Sequence, residues 1–248
     1  MNGFEKHGID HLSASSINLW INAPDLWVAK YLHNHKQSFG PAPRRGQCVE
    51  TAVHMALTGT DLETSIQRGL EQFDQTFLFG TEDTTKERAV IEPMARIAYE
   101  ELAPLGLPEA GGDDQHKISI KADFGDWHIP VIGFLDFTYP EQGLIVDLKT
   151  TNRVPSTMSP DHQLQRAIYS AAMGNQTVKF LYVSSKKASW LEDGDPADIL
   201  ARAKVQIARL ERFLSLHSAE DALACVPHNP GSYFWRGDED ARREMFGT

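Results

Sequence analysis

Apolar positions in the first part of the chain recur at helical spacing, and in the middle they alternate. Ile17, Trp20 and Ile21 follow Ser13 and Ser15, either of which can cap a helix at its start. Pro24 interrupts this pattern and opens a second helix running to Leu32, as proline does in a first turn. Residues 33–43 read as a loop. Residues 44–58 predict a helix with Val49, Ala52, Val53, Ala56 and Leu57 on one side and Gly59 at its end. Residues 61–79 and 84–103 predict two further helices, and residues 104–114 a turn-rich connection.

Strand spacing takes over at residues 116–124, with Gly125 and Asp126 as a hairpin turn and residues 127–139 as the returning strand. Residues 143–150 predict a third strand, in which Leu144, Val146 and Leu148 face one way and Ile145, Asp147 and Lys149 the other. A helix over 161–173 stopped by Gly174, a strand over 178–184, a long helix over 196–217 and a mixed tail with a short helix from Asp238 follow. The pattern predicts one α/β domain over residues 1–248. Its parts are a helical lobe over about 12–105, a sheet core over about 115–184, and a C-terminal helix and tail over about 195–248.

Composition narrows the classes. No apolar run approaches the roughly 18 residues of a membrane span. The first residues show no basic segment ahead of an apolar one, so we expect no signal peptide, no membrane and a cytoplasmic location. Cys48 and Cys225 are expected as two buried, reduced thiols. Two cysteines cannot supply the thiolates of a usual iron–sulfur cluster or a four-cysteine zinc site. The net charge of −10 argues against broad nonspecific binding to nucleic acid, which needs clustered Lys and Arg. Arg44, Arg45, Lys186 and Lys187 can line a local nucleic-acid path, or each pair can be a solvated face. Trp20, Trp27 and Trp235 can stack on bases, but are expected in the core. There is no P-loop, dinucleotide-binding glycine pattern or Gly-x-Ser-x-Gly elbow.

The chemistry concentrates around Asp147-Leu148-Lys149. If the strands on either side of the Pro140–Gly143 turn pair antiparallel, Asp136 comes close to Asp147. Two carboxylates and an ammonium at one strand end suit a divalent cation and a phosphate. A solvated strand end and a surface ion pair are the alternatives. Gln165 and Tyr169, four apart, share one helix face. His54, alone on an apolar helix, reads as a core histidine.

Four segments in order carry a resemblance to a known family. They are Leu12–Trp20 with Ala23–Trp27, Arg45–His54, Gly133–Asp136 with Asp147–Lys149, and Gln165–Tyr169. Together they resemble the PD-(D/E)XK nuclease superfamily, in particular its RecB-like exonuclease branch, which includes phage exonucleases and CRISPR-associated RecB-like nucleases. The resemblance implies a restriction-endonuclease-like core, a central mixed sheet flanked by helices. It implies a Mg²⁺- or Mn²⁺-dependent deoxyribonuclease acting on DNA ends in recombination, repair or phage DNA metabolism. An endonuclease of the same fold and a catalytically silent DNA-end-binding module remain alternatives. It makes His54, Asp136 and Asp147 metal ligands, and Lys149, Gln165 and Tyr169 catalytic partners of the two aspartates. Many relatives carry a glutamate on the strand before the first acidic motif, where this chain has Gln115, with Glu109 a second candidate. Iron–sulfur relatives carry a cysteine where this chain has Ala23, so no cluster is expected. A homo-oligomer or a recombination partner protein stays open.

Overall fold

The structure, a computed structural model, describes residues 2–109, 118–125 and 127–247. A short α1 (Gly3–Lys6) and β1 (Leu12–Ser13) precede α2 (Ala14–Asn22) and α3 (Pro24–Leu32). Ser13 caps α2: its hydroxyl accepts from the Ser16 N–H at 3.1 Å, and the Ser16 hydroxyl accepts from the Ser13 N–H at 2.8 Å. The loop ends earlier than expected, because Pro41 starts α4 (Pro41–Leu57) in the first-turn position proline favours. Then come α5 (Leu62–Thr76), α6 (Glu82–Ala89) and α7 (Ile91–Leu102). The single helix expected over 84–103 is thus two. Pro93 has no N–H to give the Ala89 carbonyl and would clash with it, so the chain breaks at Val90.

The strands are β2 (Ile118–Ala122), β3 (Val131–Leu135), β4 (Phe137–Tyr139) and β5 (Leu144–Thr150). After α8 (Pro160–Ala172) come β6 (Thr177–Val183) and β7 (Ala188–Leu191), then α9 (Pro196–Leu216), α10 (Ala219–Cys225) and α11 (Glu239–Phe246). The strand expected over 127–139 is divided at Asp136. Its first half pairs with β1 and β2 in a three-stranded sheet, and its second half opens a four-stranded sheet in the order β4-β5-β6-β7. Both sheets are mixed: β1 runs parallel to β3 and β5 parallel to β6, while the other neighbours are antiparallel. Gln115 and Asp126 lie outside the described residues.

Alternation along β5 divides its apolar side chains between two cores. Ile145 packs with Val178, Phe180, Tyr182 and Ile168, under α8, α9 and the N-terminal helices. Val146 and Leu148 pack with Phe137, Leu181 and Val183 against Val49 and Val53 of α4 and Met94 of α7. The protein is therefore an α/β fold of mixed sheets flanked by helices. Trp27 and Trp235 are fully buried, as expected. Cys48 is buried, but Cys225, the last residue of α10, is exposed. No helix among the described residues is long and apolar enough to cross a membrane.

Candidate active site

Register brings the two aspartates together. β4 pairs with β5 antiparallel with Phe137 opposite Val146, so the next residues outward, Asp136 and Asp147, face each other across the strand pair. Here the chain leaves one sheet for the other and the ladder stops. The Asp136 carboxylate takes over, accepting the Leu148 N–H at 3.0 Å. Asp136 thus satisfies a buried backbone donor as well as presenting its charge.

Asp147 is 1% exposed, and its charge is answered from two sides. The Lys149 ammonium lies 2.5 Å from one carboxylate oxygen, and Gln165 Nε2 donates to the other at 2.8 Å. Gln165 Nε2 is also 3.0 Å from the Tyr169 hydroxyl, so one amide ties the strand carboxylate to the helix phenol. Gly133 permits this: a Cβ there would come within 2.6 Å of the Tyr169 ring. Lys149 lies over the Phe180 ring, 5.3 Å from its centroid.

These groups shift one another's protonation. Burial disfavours the Lys149 charge, but the Asp147 and Asp136 carboxylates outweigh it and hold the ammonium above its ordinary value. Burial, aided by Asp147, pushes the Tyr169 phenol up to about 12. Burial, then the Lys149 charge, pushes His162 down to about 4. His162 Nδ1 is 2.6 Å from the Tyr182 hydroxyl. Burial likewise holds the Tyr182 phenol protonated, so a neutral phenol and a neutral imidazole share this hydrogen bond.

Asp136, Lys149, His162, Gln165 and Tyr169 line one cleft of about 960 Å³, and Asp147 lies beneath Lys149 and Gln165. The opposite wall is the first half of α4, from Ala42 to Glu50. Gly46 brings that helix close to β5, where a Cβ would sit 3.2 Å from the Thr150 hydroxyl. Among the expected residues, Asp136, Asp147, Lys149, Gln165 and Tyr169 are brought together. His54 is not at the cleft surface. It lies one turn beyond Glu50 on the same face of α4, buried, its ring 6.2 Å from that of Phe137 in the core on the other side of β5. Glu50, one turn earlier on α4, lines the cleft. Sequence pattern alone does not single out this carboxylate, because the period of α4 does not say which turn meets the cleft. Glu109 is not among the cleft residues.

The four basic candidates separate. Arg45 lines the cleft but is buried; its guanidinium pairs with Glu87 and donates to the Thr150 carbonyl at 3.2 Å. Arg44 bonds Gln47 at 2.9 Å and the Gln72 carbonyl at 3.2 Å. Lys186 and Lys187 are exposed on the β6–β7 turn and do not line the cleft.

In donor chemistry the site fits a hard divalent cation: Asp136, Asp147 and Glu50 supply oxygens, and a carboxylate has about four lone-pair positions, enough to accept a donor and ligate at once. Among the described residues no cluster of His, Cys, Asp and Glu is drawn together in ligating geometry. Compared with known proteins, the chain matches no family model and no curated protein sequence.

Proposed function

We propose that this protein is a metal-dependent nuclease with a restriction-endonuclease-like core, of the RecB-like branch of the PD-(D/E)XK superfamily. One observation carries the reading. Two aspartates oppose each other at a sheet break, and a lysine and a glutamine both engage the second one, in a cleft open to a polymer. An ordinary surface ion pair has neither the burial of Asp147 nor the double engagement.

Asp136 and Asp147, with Glu50 from the facing helix, would hold Mg²⁺ or Mn²⁺. Bound there, the cation polarises a scissile phosphate and makes a water more acidic. Lys149, kept charged by the carboxylates, orients the attacking water and balances charge growing on the phosphate oxygens. Gln165 fixes the Asp147 carboxylate by holding it against Tyr169. Tyr169, a neutral phenol, and His162, a neutral imidazole, offer hydrogen-bonding groups at the cleft wall.

The substrate is DNA, attacked from an end. End-labelled linear DNA and closed-circular DNA, each with Mg²⁺, Mn²⁺ or chelator, test this. Loss of linear DNA alone, abolished by chelator, is expected. Nicked circles indicate the endonuclease, and a mobility shift without cleavage indicates the silent end-binding module.

A further inference from the structure

The cleft has aromatic surface that the proposed chemistry does not use. Tyr233 is 75% exposed and Phe134 43% exposed, and both line it. Phe134 projects from β3, two residues before Asp136. Tyr233 comes from the C-terminal tail, 99 residues later in sequence.

Tyr233 is not on a loose end. Its neighbour Trp235 is 1% exposed and donates its indole N–H to the buried Asp25 carboxylate of α3 at 3.1 Å. The same carboxylate oxygen lies 2.8 Å from His228 Nδ1 and accepts the Asn229 N–H at 3.3 Å. Arg242 donates to the Pro230 carbonyl at 2.9 Å, closing the turn from behind. A tail tied at both ends of residues 229–235 holds the Tyr233 ring in the cleft mouth at little further entropic cost. A large exposed apolar ring at a prepared position points to a ligand with flat apolar faces.

Charge narrows that ligand. Among the described residues lining the cleft, Arg45 and Lys149 are the Lys and Arg side chains, and each is committed to a carboxylate. Duplex binding rests on many phosphate contacts, which this wall does not offer. Base stacking needs no cations but needs exposed base faces, which a single strand offers along its length and a blunt duplex only at its terminal pair.

Resting on the nuclease reading, we propose that the cleft takes a single-stranded nucleic-acid end whose bases stack on Tyr233 and Phe134. These two rings position the strand and select it over duplex.

Fluorescence anisotropy on the Lys149→Ala protein in Mn²⁺ tests this, with a labelled oligothymidylate, the same strand carrying abasic residues at the bound end, and a blunt duplex. The intact strand binds about tenfold or more tighter than the duplex. Adding Tyr233→Ala or Phe134→Ala weakens it by about 5- to 100-fold, the range for loss of one stacked base. Tyr233→Phe stays within about twofold, since the ring face remains. The abasic strand loses a similar factor at unchanged charge. Salt dependence is shallow, with a logarithmic slope of about one, against about 0.7 per phosphate contact. In the protein with Lys149 intact, Tyr233→Ala raises KM for cleavage and leaves kcat near wild type. Equal binding of duplex and single strand, or ring-less variants that bind and cut like wild type, overturns the proposal and leaves the nuclease reading standing. If wild type binds single strands by its rings but cuts nothing, the nuclease reading fails instead. If it binds no strand at all, both fail.

Discussion

Asp136 accepts the Leu148 N–H at 3.0 Å, so a proposed metal ligand also closes a gap in the sheet. The two roles separate by substitution. Asp136→Asn keeps an acceptor for Leu148 and removes the charge. Its melting temperature stays near wild type and its cleavage is lost. Asp136→Ala leaves a buried N–H unsatisfied, at a cost of about 1–3 kcal/mol. That lowers the melting temperature by roughly 2–12 °C for a chain of this length. Thermal melts of both variants beside cleavage assays check this; equal melting of Asn and Ala variants contradicts the backbone role.

Arg45 behaves as structure and Lys186 and Lys187 as surface. Arg45→Ala strands Glu87 and the Thr150 carbonyl, and breaking a buried pair costs about 3–5 kcal/mol. Lys186→Ala and Lys187→Ala change stability by less than about 0.5 kcal/mol. Urea denaturation of the three variants reads this directly. An Arg45→Ala protein as stable as wild type, but weak in binding DNA, would return Arg45 to the nucleic-acid path.

The legible parts of this fold are those set by local period and capping. Ser13 marks the start of α2, and the alternation of β5 places Asp147 and Lys149 on the face that α8 covers. The division of residues 131–139 between two sheets was not legible. Its cause is a side chain substituting for a ladder bond, and nothing in the alternation changes there. Glu50 shares a helix face with His54, and local pattern cannot say which turn of α4 reaches the cleft. The tail is placed by contacts about 200 residues apart, from Asp25 to His228 and Trp235, which leave no periodic trace.

Acid should destabilise the protein partly through His162. Its folded value, about 4, lies below the ordinary histidine value of 6.5. Between these values the unfolded chain binds a proton that the native state does not. Stability from this group is therefore present above about 6.5 and lost as pH falls toward about 4. Melting temperatures from pH 7 to pH 4 decline less steeply in His162→Gln than in wild type. Parallel declines in the two proteins contradict the assignment.

Gly133 and Tyr169 are coupled by space. Gly133→Ala puts a methyl 2.6 Å from the Tyr169 ring and displaces the phenol that Gln165 holds. Overpacking of this kind costs about 1–3 kcal/mol. Cleavage falls with it, because Gln165 also holds Asp147. In the Gly133→Ala, Tyr169→Ala double variant the two stability losses are not additive, since removing the ring removes the clash. Strict additivity in denaturation contradicts the contact.

The central claim is that Asp136, Asp147 and Lys149 form a metal-dependent phosphodiester-cleaving site. Release of nucleotide from end-labelled DNA by wild type and Lys149→Ala, with Mn²⁺ and with excess chelator, tests it most directly. The account predicts cleavage by wild type in Mn²⁺, none in chelator, and a fall of about a hundredfold or more in Lys149→Ala, the scale for loss of one preorganised charge-stabilising group. Wild-type cleavage that persists in chelator, or a Lys149→Ala protein that turns over like wild type, contradicts it.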